Sequence, residues 1–187
     1  DATADVVEEF HSDGLRVAPH LSFGGQGEEV VLQLLERYRE LGIDQLVALR
    51  GDLPSGMGGT SQLVHANQLV HFVRKKCGQH FHIDVAAYPE IHPEAKSYDS
   101  DIRFLKAKFD AGANSAITQF FYNVDAYLYF VDRCGSIGID QPIYPGIMPI
   151  INFTSLKRFA ANCGAEIPRW ICQRMESLED EIGRAHV

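Results

Sequence analysis

Apolar residues in this chain alternate between short strand-like runs and longer stretches with helical spacing. Five runs read as strands, at about Arg16–Leu21, Gln45–Arg50, His82–Tyr88, Ser115–Phe120 and Ile143–Ile147. The run Gln45-Leu46-Val47-Ala48-Leu49 is apolar almost throughout, as a buried strand is. Between the strands, Glu28–Leu41 carries Val30, Val31, Leu34, Leu35 and Tyr38, and Ser61–Cys77 carries Leu63, Val64, Leu69, Val70 and Phe72. Both spacings predict amphipathic helices. Further helices are expected over Ala4–His11, Ser97–Ala111, Val124–Cys134 and Ser155–Asn162. Gly42, Gly78, Gly112 and Gly138 stand where helices stop, and Asn152 to Ser155 supply N-cap candidates for the last helix.

Successive strands begin roughly 30 residues apart, the length of one βα unit. Strand and helix alternating at that period predict a parallel sheet in an α/β fold. An open doubly wound sheet and a closed barrel share this pattern. The stretch Gly51–Gly59 is rich in glycine but holds neither G-x-G-x-x-G nor a Gly-Lys-Ser/Thr ending. A barrel is therefore favoured, with five strands visible where a closed one needs eight.

Charge narrows the partners. The chain has 187 residues, a net charge of −8 and a pI near 5.4, which argues against nucleic acid or an anionic membrane as partner. Cys77, Cys134, Cys163 and Cys172 are scattered without a Cys-x-x-Cys pair, so reduced thiols in a cytoplasmic protein are expected, with no metal. No apolar run approaches the ~20 residues that span a bilayer. The segment Glu181–Val187 looks like a translated adapter and is set aside as a non-native tail. Residues 1–180 are then expected to be an incomplete catalytic domain cut from a longer reading frame.

Polar chemistry gathers after the strands, at the ends where parallel α/β folds bind ligands. Arg50-Gly51-Asp52-Leu53-Pro54 follows the second strand. Asp52 is either a turn residue or a carboxylate set beside a ligand, and Gly51 lets backbone approach one closely. His20 ends the first strand, and Tyr88 and His92 flank Pro89 after the third. Each has an alternative as a packing residue. Asp101 and Lys108 are seven apart and share a helix face, which by itself reads as a solvated charged face. Gln119 lies in an otherwise apolar strand end, where a buried amide must find partners. His80 and His82 have no third metal ligand in sequence.

Four segments in order carry a family likeness: Leu49 to Pro54, Ala87 to Ala95, Ile117 to Tyr122 and Tyr144 to Ile150. Together they resemble the bacterial type of methylenetetrahydrofolate reductase, a flavoenzyme family, from about Arg16 to about Arg174. The resemblance implies a partial (β/α)8 TIM barrel, with the third to seventh parallel strands present and the helices outside. It implies FAD as cofactor, NADH or NADPH as co-substrate, methylenetetrahydrofolate as small-molecule substrate and a homo-oligomeric parent. It assigns His20, Arg50, Gly51, Asp52, Ala66, Tyr88, His92, Ala95, Asp101 and Lys108 to the flavin, with Lys108 near its pyrophosphate. It assigns Asp52, Gln119 and Phe159 to the folate, Asp52 as the catalytic residue that tunes the flavin and stabilises the cationic substrate. Phe159 alone would read as helix core. The family's catalytic acid is a Glu on the first barrel strand, which has no counterpart here. Phe104, Ala107, His65 and Ser155 occupy positions where the family often carries other contacts. The rivals are another pterin-binding barrel, such as a folate-dependent methyltransferase domain, and a non-enzymatic folate-binding module.

Overall fold

The computed structural model describes residues 2–23, 27–50 and 65–185. In chain order the elements are α1 (Ala2–Ser12), β1 (His20–Leu21), α2 (Glu28–Glu40), β2 (Gln45–Ala48), α3 (Ala66–Cys77), β3 (His82–Ala87), α4 (Tyr98–Asp110), β4 (Ser115–Phe120), α5 (Val124–Ser136), β5 (Ile143–Gly146), α6 (Phe153–Cys163) and α7 (Arg169–Ala185). The strands form one sheet in the order β1-β2-β3-β4-β5. His20 pairs with Val47, and Gln45 to Ala48 pair with His82 to Val85, both ladders parallel. An unbroken sequential order has no point where the winding reverses, unlike a doubly wound sheet. With right-handed crossovers it places successive helices on one face, as in a (β/α)8 barrel. The chain is a five-stranded part of that fold class.

Differences from the expected strands are local. β1 is shorter than the expected Arg16–Leu21, because Pro19 has no N–H for the ladder, yet its carbonyl still accepts from Val47 N at 2.9 Å. β5 likewise contains Pro145 and ends at Gly146. A helix absent from the sequence reading, α7, follows Pro168 and buries Ile171, with Met175 packed beside it. Its backbone continues to Ala185, into the stretch set aside as a tail.

Two compact units divide the chain. The first comprises Asp1–Ala86, Arg103–Ile117 and Gln141–Ile143, and the second Ala87–Ile102, Thr118–Asp140 and Tyr144–Val187. In the first unit, Leu46, Ala48, Ile83 and Val85 are buried, along with Leu69, Val70 and Val73 of α3. Each fully buried aliphatic side chain contributes roughly 1.5–3 kcal/mol. α2 and α3 touch, and α1 is fastened to α2 by Arg37, which pairs with Glu8 and, at 3.0 Å, with Asp5. Buried Asp84 is satisfied from both sides: Gln45 Nε2 donates at 2.7 Å and Ser115 Oγ donates to its other oxygen. His82 Nε2 lies 2.8 Å from Ser115 Oγ.

The strongest polar junction of this unit is Arg74. Its Nε donates to Gly112 O at 2.9 Å, Nη1 to Gly78 O at 3.1 Å and Phe81 O at 2.8 Å, and Nη2 to Asn114 Oδ1 at 2.6 Å. Asn114 Oδ1 also accepts from Ile83 N at 2.7 Å. One guanidinium thus fixes the end of α3, the entry to β3, the turn after α4 and the entry to β4. Gly112 has φ 112°, and a Cβ there would sit 2.9 Å from Arg74 Cγ. In the second unit the core is Phe120, Phe153, Leu156, Ala160, Ala165 and Ile171. Asn152 caps α6 by accepting from Ser155 N at 2.8 Å, and Asn123 caps α5 through Asp125 N at 3.1 Å. A Cβ on Gly146 would run into the Thr118 carbonyl oxygen, so only glycine lets β5 come this close to β4.

Replacing Arg74 with Met keeps the aliphatic stem and strands three backbone carbonyls. Arg74→Met should lower unfolding stability by about 3 kcal/mol, and Gly112→Ala by about 1–3 kcal/mol. Urea midpoints at unchanged m-value measure both. A Met variant as stable as the wild type would show that the fan is ornamental.

Candidate functional site

In the first unit the expected residues lie on β1, just beyond β2, at the start of α3 and in the last turn of α4. His20 is exposed on β1, Arg50 is exposed beyond β2, and Ala66 is the buried first residue of α3. Gly51 and Asp52 lie outside the described residues. Lys108 is part of no solvated face: its Nζ donates to Ala86 O near the end of β3, at 2.7 Å. The His65 ring stacks on exposed Phe104 with centroids 6.3 Å apart and planes 25° apart.

The second unit holds the rest. After β3 the chain turns through Tyr88-Pro89-Glu90-Ile91, closed by Ile91 N donating to Tyr88 O at 3.4 Å. Ile91 has φ 75°, a costly conformation for a β-branched residue. Strain of this kind persists only where neighbours fix the chain, and here several do. His92 N donates to Asp101 Oδ2 at 2.8 Å, which gives the α4 carboxylate a defined task rather than a solvated face. Ala95 N donates to His92 O at 2.9 Å, and Glu94 N to His92 Nδ1 at 3.1 Å. With Nδ1 accepting, the neutral imidazole carries its proton on Nε2. Tyr88 meets the His92 ring edge to face at 4.5 Å.

Gln119, near the end of β4, turns its Oε1 back to accept from Phe120 N at 3.1 Å, which leaves its amide N–H groups as donors. Phe159 is not core. It is 47% exposed on α6 and stacks on Phe120 at 5.6 Å with planes 14° apart, while Phe153, Leu156 and Ala160 form the buried face. A cavity of about 10 Å³ is lined by Tyr88 and Gln119 together with Glu90, Phe120, Cys163 and Gly164.

Sequence reasoning passed over Glu90. Its Oε2 accepts from Glu166 N at 3.0 Å, and its Oε1 is buried without a hydrogen-bond partner among the described residues. Burial pushes its carboxyl above the usual carboxylate range, against the pull of the Glu166 amide. A charged residue directly after Pro at a strand mouth was the available signal. In the first unit, an open groove of about 450 Å³ beside α3, lined by Asn67, His71, Phe72, Lys75 and Lys76, contains none of the expected site residues. Among the described residues no three His, Cys, Asp or Glu side chains group as metal ligands, all four cysteines are free, and no helix is long and apolar enough to cross a membrane.

A sequentially wound parallel βα fold with polar side chains at its strand mouths defines the class as a (β/α)8-type ligand-binding domain. Comparison with known proteins narrows this. Residues 1–185 match the family described as methylenetetrahydrofolate reductase. The 5,10-methylenetetrahydrofolate reductase of Escherichia coli (strain K12) is 46% identical over 168 residues, covering 90% of this chain and 55% of that protein. That of Pectobacterium carotovorum subsp. carotovorum is 46% identical over 182 residues, covering 97% and 60%. Among solved structures, a Clostridium thermocellum protein described as binding two copies of 5-methyl-5,6,7,8-tetrahydrofolic acid has the same fold. Its TM-score is 0.58 at 19% identity, covering 92% of this chain and 58% of that one. The chain belongs to the methylenetetrahydrofolate reductase family, and it spans little more than half the length of these bacterial relatives.

Glu90 gives a pH test. Its folded-state pKa lies above its unfolded value, so the fold binds its proton more tightly. That contribution is complete below about pH 4, the ordinary Glu range, and is lost as pH rises through the raised value. Glu90→Gln should therefore gain stability relative to wild type as pH rises above about 4, with urea midpoints converging at the acid end. A difference independent of pH would show that the Glu90 carboxylate is not penalised by burial.

Proposed function

We propose that the protein containing this chain reduces 5,10-methylenetetrahydrofolate to 5-methyltetrahydrofolate at the expense of NADH or NADPH, with FAD as cofactor. Family membership supports the reaction class. The observation that carries the reading is that Tyr88 and Gln119 line one cavity, the first expected on the flavin side and the second on the folate side.

The donor set suits both ligands. In the first unit, Lys108 offers an ammonium held at the end of β3 for a pyrophosphate, a point-charge contact on an otherwise acidic chain. In the second, His92 Nε2–H and the Gln119 amide N–H groups suit planar heterocycles rich in acceptors. Bound FAD would supply hydride transfer between nicotinamide and the folate methylene carbon. The chain's residues would supply position and charge. Asp101 holds the His92 backbone, Tyr88 braces the His92 ring, and exposed Phe159 offers a face for an aromatic portion of the folate. Asp52 is proposed to stabilise the cationic form of the substrate by its charge.

A second reading has support of its own: the Clostridium thermocellum protein of the same fold binds a methylated folate, as a folate-binding module without flavin would. Purification of a version extended to the length of the relatives separates the two. A yellow protein that oxidises NADH or NADPH when given methylenetetrahydrofolate supports the reductase. A colourless protein that binds 5-methyltetrahydrofolate supports the module.

Two substitutions divide the roles. Lys108→Ala should weaken FAD retention by about 1.5–3 kcal/mol, seen as earlier release of flavin fluorescence on heating with far-ultraviolet dichroism unchanged. Unaltered FAD affinity would overturn the pyrophosphate role of Lys108. Gln119→Leu should raise the folate Michaelis constant by the equivalent of about 1–3 kcal/mol and spare NADH oxidation with an artificial acceptor. Loss of both activities would mark Gln119 as structural.

A further inference from the structure

Glu90 is a half-buried acid in the second unit, with one carboxyl oxygen fully buried, that none of the assigned roles uses. It sits in the strained turn after β3, two residues from Tyr88 and two from His92. Its Oε2 takes the Glu166 amide across 76 positions of sequence, tying the β3 mouth to the segment between α6 and α7. That segment is pressed against the same turn. Gly164, at φ 71° after α6, comes so close that an added Cβ would lie 3.2 Å from Pro93 Cγ and 3.7 Å from Ile91 O. Ala165 enters the core with Phe120 and Ala160, and Phe120 carries the stacked ring of Phe159. Glu90 is therefore joined to both ligand-side segments, the Tyr88–His92 loop directly and the Gln119–Phe120–Phe159 group through α6.

We propose that Glu90 is a positioning residue for the folate side of the site: it clamps the α6–α7 segment to the β3 mouth and, through its second carboxyl oxygen, orients the Gln119 amide across the cavity they share. This rests on the reductase reading above. Two observations point to the second oxygen. Oε1 is buried without a partner among the described residues, which is costly for a carboxyl unless a donor is supplied. Gln119 lines the same cavity of about 10 Å³, and its Oε1 is already engaged by Phe120 N, so it presents N–H donors. That volume admits about one water-sized group and so permits a short relay between the two side chains. The raised pKa of the carboxyl agrees with this confinement. Glu90 touches neither ligand in this scheme and acts through Gln119 and Phe159.

The test compares Glu90→Ala and Glu90→Gln in a version extended to the length of the relatives. Dissociation constants for 5-methyltetrahydrofolate and for FAD are measured separately, with hydrogen exchange at the Glu166 amide. Glu90→Ala should weaken folate binding about tenfold, leave FAD affinity within about twofold, and expose the Glu166 amide to faster exchange. Glu90→Gln keeps an acceptor for the Glu166 amide and should recover folate affinity to within about threefold of wild type. Unchanged folate affinity in Glu90→Ala overturns the proposal, as does an equal loss of both ligands or a Gln variant no better than Ala. If Glu90→Ala does not fold, the Gln variant decides alone: folate affinity near wild type supports the clamp, and a tenfold loss overturns it. A wild-type protein that binds FAD but no folate overturns the reductase reading itself, and the proposal with it.

Discussion

Arg74 is the constraint on which the first unit depends. A guanidinium brought out of water is stable only if its donors are met, and here four of its hydrogen bonds reach carbonyl or amide oxygens on four consecutive pieces of chain. The residues that accept are those where a βα unit changes direction: Gly78 after α3, Phe81 before β3, Gly112 after α4 and Asn114 before β4. Two adjacent strands therefore begin at heights fixed relative to one another. Desolvation lowers the Arg74 pKa only from a value far above neutrality, so the charge that organises these carbonyls persists at every physiological pH.

The two ends of the strands use polarity differently. At the entry side, Asp84, Ser115, Gln45 and Arg74 are engaged with one another or with backbone, and these groups are structural. At the exit side, side chains are held by one atom, which sets the direction of the rest of the group. His92 gives Nδ1 to the Glu94 amide and keeps Nε2–H, and Gln119 gives Oε1 to Phe120 and keeps its amide hydrogens. Such half-engaged groups are pre-oriented yet unsaturated, which is what recognition of a rigid heterocycle requires. The positive φ of Ile91 fits this view, since strain tolerated in a turn that bears ligand-side residues is an investment in their placement.

Much of this was legible in sequence because period and punctuation are local. The expected helix over 28–41 is α2 within one residue, and Gly42, Gly78, Gly112 and Gly138 all adopt positive φ where helices were expected to stop. Sequential winding is a property of pairing between strands and was not legible in the periodicity alone; it was expected from the family resemblance, and the strand order bears it out. Asp101 and Lys108 were readable as one helix face but not as inward-turned, because the groups they meet, His92 N and Ala86 O, belong to backbone on another element. Phe159 looked like core because aromatic residues at helical spacing usually are; the structure instead buries its neighbour Ala160 and leaves the ring to stack on Phe120. Glu90 was missed because its partner lies 76 residues away in sequence.

In the proposed reaction, a flavin and a folate exchange reducing equivalents in turn in the protein that contains this chain. Anaerobic spectrophotometry of the length-restored protein tests it in one cuvette. NADH or NADPH should bleach the flavin absorbance band near 450 nm to completion in the absence of folate, and methylenetetrahydrofolate added afterwards should restore it with one 5-methyltetrahydrofolate formed per flavin. A protein whose band is bleached but never restored by the folate, or that binds the folate and shows no flavin band at all, would contradict the account.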